Sequence, residues 1–368
     1  MAAAPHQRRA SEPVPHANRF RRRRLFLAGG LAACGVAAMA AVLPRVRGSD
    51  GRGQLRFTGD AMGTTYTVTF VAPTRAMSFA RAARDAVDAA VASVDAQMST
   101  FAHDSEISRL NRRAPGRPMA LSQETLAVLD TARRVSEATG GAFDVTAGPL
   151  VNAWGFGPSG APRIPAPAEL AMLRQRVGFR ALDIDSTGRS ATKMHPDMYV
   201  DLSGIAKGYG ADRAARALEA LGIVDYVIEL GGEVMARGRN VDGDRWRVAI
   251  EEPQASPRKV RRIVAPGDRA MATSGDYRSY FERGGRRYCH EIDPVSASPV
   301  SHALASVTVV ADDCATADAL ATGLMVLGPK DGYALAQRAG LAAYFVERVE
   351  QGGLVDRNST AFDALADV

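Results

Sequence analysis

The stretch that most constrains this chain runs from Tyr199 to Gly238: YVDLSGIAKGYGADRAARALEALGIVDYVIELGGEVMARG. It reads as strand, glycine-bearing turn, helix, turn, strand. The first strand is expected to end at Val200-Asp201-Leu202, with Ser203 as N-cap and Gly204 removing a side chain where the helix begins. The helix should run to about Leu221 and stop at Gly222, and the strand Tyr226 to Leu230 should enter a Gly231-Gly232 turn. A helix opened by small residues offers free amides and a dipole that favours negative charge. Lys207 adds a cation one turn in, and Asp201 stands just outside as an acceptor for a sugar or base, or as a metal neighbour. These residues predict that a nucleotide's phosphates lie here. The competing reading is an ordinary strand–helix–strand unit with two loop glycines.

Charge narrows the choice of partner. The net charge is +6, but nine of the 46 Lys and Arg fall in the first fifty residues, against two of the 40 Asp and Glu. The body is therefore close to neutral, which removes the electrostatic case for nucleic-acid binding. The basic excess belongs to an N-terminal segment, residues 1–47, that reads as an export signal. Arg21-Arg22-Arg23-Arg24 precedes an apolar run from Leu25 to Leu43. Arg23-Arg24-Leu25-Phe26-Leu27 fits the twin-arginine pattern, Leu31-Ala32-Ala33-Cys34 fits a lipobox, and Ala38-Met39-Ala40 fits a cleavage site. Lipidation at Cys34, cleavage near Ala40 and an uncleaved anchor all stay open, and each places the body on the periplasmic side of a bacterial inner membrane. In the body only Cys289 and Cys314 occur, too few for a disulfide scaffold and expected as buried free thiols.

Residues 48–56 read as a linker, 57–345 as one catalytic domain and 346–368 as a loose tail. Alternation marks a strand in the second half of Phe57–Phe70, and Phe79, Ala83, Val87, Val91 and Val94 form one helical face. Asp104 or Ser105 should cap a short helix, and Ser122 a longer one that ends at Gly140-Gly141. Gly155-Phe156-Gly157-Pro158-Ser159-Gly160 matches G-x-G-x-x-G literally, but a proline lies inside it and no helix follows, so it is rejected as a dinucleotide fingerprint. Strands and helices mix without strict alternation, which favours an α+β fold of mixed sheets with flanking helices.

Three clusters could carry chemistry. Asp318 and Thr322 stand at i and i+4 on one helix face, able to hold a hard cation such as Mg²⁺ or simply to decorate a surface. His290, beside an Asp-Pro turn, is either a structural histidine or a general base near a phosphate site. Asp144 and Thr146 either contact a ligand or make an Asx-type turn.

Ordered motifs then take the reading further. They are M-G-T at Met62, M-S-T-F and D-S-E-I-S-R-L-N from Met98 to Asn111, and G-A-F-D-V-T-A-G-P-L-V-N-A-W-G-F-G from Gly141. V-D-L-S-G-I-A-K-G-Y follows at Val200, then G-G-E at Gly231, A-T-S-G-D-Y at Ala272, H-E-I-D-P at His290 and A-D-A-L-A-T-G-L at Ala317. In these, from Met62 to about Gly328, the chain resembles the bacterial FAD:protein FMN transferases, the ApbE family. The resemblance implies an active site in a cleft between two lobes that binds FAD as substrate with Mg²⁺. It implies transfer of FMN to a threonine hydroxyl of a partner flavoprotein, an exported or membrane-bound electron carrier, with AMP leaving. By motif position, FAD contacts would come from Met62, Phe101, Ala142, Phe143, Asp144, Asp201, Lys207 and Ile292. The metal would be held by the Gly204 carbonyl and the side chains of Asp318 and Thr322, with Asp318 also counted as catalytic, and His290 would be the base. Phe101 stands where many members have Tyr, and Ala321, counted among the metal positions, stands where some have a second carboxylate. The same residues would serve two other activities: a Mg²⁺-dependent FAD pyrophosphatase releasing FMN and AMP, or a non-catalytic exported flavin-binding lipoprotein.

Overall fold

The computed structural model describes residues 45–46, 51–73, 77–158, 160–253, 258–350 and 352–365. The export segment, apart from Arg45–Val46, lies outside the described residues. Among the described residues no helix is long and apolar enough to cross a membrane.

A nine-stranded sheet organises the chain, and its strands lie side by side in the order in which they occur in the sequence. They are Arg45–Val46, Arg52–Ala61, Thr64–Pro73, Tyr226–Leu230, Glu233–Arg237, Ala270–Gly275, Leu304–Ala311, Ala342–Arg348 and Leu354–Asn358. Each neighbouring pair is antiparallel. The α+β expectation is met: this is a meander with helical insertions between its strands, not a parallel doubly wound sheet.

The longest insertion follows Thr64–Pro73. It holds helices Met77–Met98, Glu106–Arg112, Gln123–Ala138, Gly148–Trp154, Pro167–Arg174 and Ala206–Ala220, with a three-stranded sheet of Met119–Ala120, Ser190–Lys193 and Leu182–Asp185. Ser105 and Ser122 cap their helices as the sequence suggests, accepting from the amides of Ser108 and Thr125. One core packs Phe57, Tyr66, Val68 and Phe70 of the sheet against Ala83, Val87 and Val91 of the Met77–Met98 helix and Ala211 to Leu218 of the Ala206–Ala220 helix. A second gathers Leu129, Phe143, Ile205, Leu320 and Leu324 around helix Cys314–Arg338.

Three boundaries differ from the sequence reading. Residues 52–56 are not linker: Arg52–Ala61 pairs along its whole length with Thr64–Pro73, burying Leu55 and Phe57 while Arg52 and Arg56 face outward. Polar outward positions on a sheet with one wet face mimic linker composition. The expected tail contains the last sheet strand and helix Thr360–Asp363, whose Phe362 stacks on Tyr344, and the boundary at residue 345 falls inside the strand Ala342–Arg348. In the opening stretch, Tyr199 makes only a bridge to Ala147 and belongs to none of the sheets. The strand–helix–strand reading therefore fails on its first strand.

Helices Ala206–Ala220 and Cys314–Arg338 pass very close together. A Cβ on Gly208 would meet the Cys314 carbonyl oxygen, would lie 2.6 Å from its carbon and 2.8 Å from Asp318 Cβ. Backbone cannot yield there, so Gly208 is required by the approach and not by its dihedrals. Gly208→Ala is expected to cost about 1–3 kcal/mol by overpacking, read as a fall in Tm. An unchanged Tm would remove close approach as the reason for the glycine.

Candidate active site

The crossing of these two helices builds the site. The turn before Ala206–Ala220 is set by Asp201, whose Oδ1 accepts the Ser203 amide at 2.9 Å while its own amide donates to Val145 at 2.7 Å. Ser203 is therefore not the N-cap. Ile205 holds that position without a side-chain bond. The Gly208 amide instead donates to Asp318 Oδ2 at 3.0 Å, across 110 residues of sequence. The helix start does carry a negative group, but it is a carboxylate of this chain. The free amides foreseen for phosphate are fewer by one.

Asp318 is thereby held with Oδ1 turned toward Lys207 Nζ at 3.7 Å, and Lys207 donates to Glu233 Oε1 at 2.9 Å. One turn beyond Asp318, the Thr322 hydroxyl shares a hydrogen bond with Ser274 Oγ at 3.1 Å. A Cβ on Gly204 would lie 3.2 Å from Thr322 Oγ1 and 3.3 Å from Phe143 Cε2, so the Gly204 backbone abuts both. Asp318, Thr322, Gly204, Lys207 and Phe143 thus converge from three separate segments.

Electrostatics follow from burial. Desolvation works against the Lys207 charge, but Asp318 and Glu233 outweigh it and hold the ammonium charged. Burial raises Glu233 to about 8, against the pull of Lys207 and with repulsion from Asp318. Burial raises Asp318 too, opposed by Lys207 and the Gly208 amide. Two carboxylates share one ammonium, and Glu233 Oε2 is buried with no hydrogen-bond partner. Buried carboxyl groups whose ionised forms desolvation disfavours, beside an all-oxygen donor set, would be stabilised as anions by a hard divalent cation. Asp318, Thr322 and the Gly204 carbonyl could hold it. Among the described residues no group of three or more His, Cys, Asp or Glu could hold a metal by side chains alone, in keeping with a set that has one carboxylate.

His290 lies between the strand Arg286–Cys289 and the short strand Ile292–Asp293, its amide bonded to the Ser279 carbonyl at 3.0 Å. Its ring meets Phe156 edge-on at 6.4 Å, and Nε2 lies 3.7 Å from Glu291 Oε1. Crowding by protein atoms, then the Lys207 cation, pull its pKa down to about 4. With 41% of the side chain still open to solvent, it is the direction, toward neutral imidazole, that matters. A neutral, accessible imidazole near a buried ammonium can accept a proton from an incoming hydroxyl.

The sequence pattern of one known family matches residues 62–345, which include all of these groups. The chain belongs to the ApbE family. It is 43% identical over 300 residues to the FAD:protein FMN transferase of Vibrio cholerae, covering 81% of this chain and 89% of that one. It is 41% identical over 318 residues to that of Haemophilus influenzae, covering 85% and 92%. Among solved structures it resembles the flavin transferase ApbE from Vibrio cholerae, with a TM-score of 0.78, 40% identity and coverage of 86% and 100%. The apo form of the Pseudomonas stutzeri flavinyl transferase ApbE gives a TM-score of 0.76 at 40% identity, with coverage of 85% and 97%.

The remaining positions carried over from the ApbE motifs are placed less uniformly. Met62 and Gly63 form a two-residue hairpin turn with φ of 53° and 71°. The first value is unusual for a residue without a short polar side chain. Met62 Sδ lies 3.1 Å from where a Gly210 Cβ would be, so the thioether rests on the site helix. Ala142 and Phe143 are buried at the end of the Gly140-Gly141 turn. Asp144 makes the Asx-type turn: Oδ1 accepts the Thr146 amide and hydroxyl, and Oδ2 the Phe179 amide at 2.9 Å. Its carboxylate is committed to the loop, whatever contact its backbone makes. Ile292 packs its side chain with Leu150, Trp154 and Ala297, so any ligand contact falls to its main chain. Phe101 is 64% exposed, available as a stacking face. Ala321 is corrected as a metal position: its side chain is a fully buried methyl with no donor atom.

Three groups in the site had no role in the sequence reading: Glu233, Ser274 and Glu291. All three lay inside quoted motifs, G-G-E, A-T-S-G-D-Y and H-E-I-D-P, but Glu233 and Ser274 take their partners from distant helices. A surface hollow of about 710 Å³ lies elsewhere, beside Arg239, Arg245, Asp268 and Arg269.

Proposed function

We propose that this chain transfers the FMN half of FAD to a threonine hydroxyl of a partner flavoprotein in a Mg²⁺-dependent reaction that releases AMP. The supporting observation is the convergence of Asp318, Thr322 and Gly204 beside Lys207. The names of the ApbE relatives support the same activity. Mg²⁺, when bound by Asp318, Thr322 and the Gly204 carbonyl, supplies positive charge to the pyrophosphate of FAD. Lys207 adds a second cation, already charged and fixed before substrate arrives. Phe143 closes one wall, and Asp201 stands at the turn before the site helix, where its carboxylate holds Ser203. His290 takes the proton of the threonine hydroxyl as its oxygen bonds to the FMN phosphorus. The bond from that phosphorus to the AMP oxygen breaks, and AMP leaves.

The acceptor is an exported or membrane-bound electron-transfer protein, in line with an N-terminal segment read as an export signal. The test is to incubate the protein with FAD, Mg²⁺ and such an acceptor, then to map the FMN mass by peptide mass spectrometry. FMN on a threonine is the expected result. Free FMN and AMP with an unmodified acceptor would make it a pyrophosphatase, and intact FAD would make it a flavin-binding protein.

A further inference from the structure

The two site helices cap one another. Asp318, in the second turn of Cys314–Arg338, accepts the Gly208 amide in the first turn of Ala206–Ala220. In return Asp212, one turn beyond Gly208, accepts the amides of Cys314 and Ala315 at 2.8 and 3.0 Å. Those are the first two residues of the helix that bears Asp318 and Thr322. The exchange runs antiparallel, 208 with 318 and 212 with 314. Asp212 is buried, 5% exposed, and both of its oxygens are occupied by this cap. The second helix already has a local cap, since Asp313 accepts the Thr316 amide at 2.8 Å. That local cap leaves the buried Cys314 and Ala315 amides to Asp212, so the first turn of this helix is fastened to Ala206–Ala220 as well as to its own flank.

We propose that Asp212 is a positioning residue for the metal site, fixing the rotation and depth of helix Cys314–Arg338 so that Asp318 Oδ1 and Thr322 Oγ1 face the cation together. The proposal rests on the assignment of Asp318 and Thr322 as Mg²⁺ ligands. The lever is short and stiff. Asp212 pins residues 314 and 315, and Asp318 follows one helical turn later on the side that Gly208 leaves open. Losing that pin lets the helix start slide along Ala206–Ala220. Asp318 could then keep its Gly208 bond only by changing rotamer, which turns Oδ1 away from its present place beside Lys207. Groups that orient ligands in this way set metal affinity without touching the ion.

The test uses Asp212→Asn, which keeps one acceptor oxygen but replaces the other by a donor that cannot accept the second amide. Mg²⁺ is titrated calorimetrically into the FAD-loaded wild-type protein and into the variant, and thermal unfolding and FAD affinity without metal are measured in parallel. The expected result is Mg²⁺ affinity lower by about 10–100-fold with FAD affinity retained. Turnover should recover toward the wild-type kcat at saturating Mg²⁺. Asp212→Glu, which can still accept both amides, should restore part of the Mg²⁺ affinity. Unchanged Mg²⁺ affinity with a lowered Tm would make Asp212 a structural cap only, and so would a variant that fails to fold. No Mg²⁺ binding by the wild-type protein would overturn the metal assignment itself, an outcome distinct from either.

Discussion

Asp318→Asn is expected to lower FMN transfer by about 10³-fold or more and to flatten its dependence on Mg²⁺ while the fold persists. The substitution separates two duties of one side chain. Asp318 Oδ2 accepts the Gly208 amide, and an asparagine oxygen can do the same. Oδ1 faces Lys207 and would carry the charge for the cation, which asparagine lacks. Asp318→Ala removes both, leaving the Gly208 amide unpaired at a cost of roughly 1–3 kcal/mol. The two variants should therefore be about equally inactive but differ in Tm, Ala being the lower. Mg²⁺-dependent transfer at the wild-type rate in Asp318→Asn would sink the metal assignment.

His290→Ala should retain FAD binding and lose transfer by about 10²–10⁴-fold, the usual worth of a positioned base. The pH profile gives a sharper reading. Desolvation and then Lys207 hold the imidazole pKa below its ordinary 6.5, near 4. A lowered pKa keeps the neutral, proton-accepting form at lower pH, so the acid limb of kcat/KM should fall below pH 6.5. That parameter reports the free enzyme. In the complex the bound pyrophosphate offsets Lys207 and favours imidazolium, so the acid limb of kcat should sit at higher pH than that of kcat/KM. Wild-type transfer by His290→Ala would remove it as the base. An acid limb at or above 6.5 in kcat/KM would mean that neither desolvation nor Lys207 holds the imidazole neutral.

Much of the site was legible because the chain writes it in short runs. Asp318 and Thr322 are four apart, and helical geometry alone puts them on one face. The spacing puts Lys207 one turn inside a helix opened by Gly204, whereas the helix begins at Ala206, with Lys207 its second residue and Gly204 ahead of the cap position Ile205. Ser203 as N-cap did not survive. Local capping rules assume that a helix start finds its partner nearby, whereas here Asp201 takes the Ser203 amide and Asp318 takes that of Gly208. Arg52–Ala61 and the last strand and helix were missed for a related reason. Their exposed faces are polar, and only pairing with Thr64–Pro73 and Ala342–Arg348 reveals their buried ones.

Short-range sequence set most of the elements, the α+β class, the family and most of the oxygen donors, because each is encoded within a few residues by periodicity, glycine or motif. Only the tertiary structure decided what the stretch from Tyr199 to Gly238 is. Its first strand dissolves into a single bridge, its helix takes its N-terminal carboxylate from residue 318, and it repays that cap with Asp212. Such contacts join segments about a hundred residues apart, and they exist because Gly208 lets two helices close on each other. No local rule of residue spacing can express them.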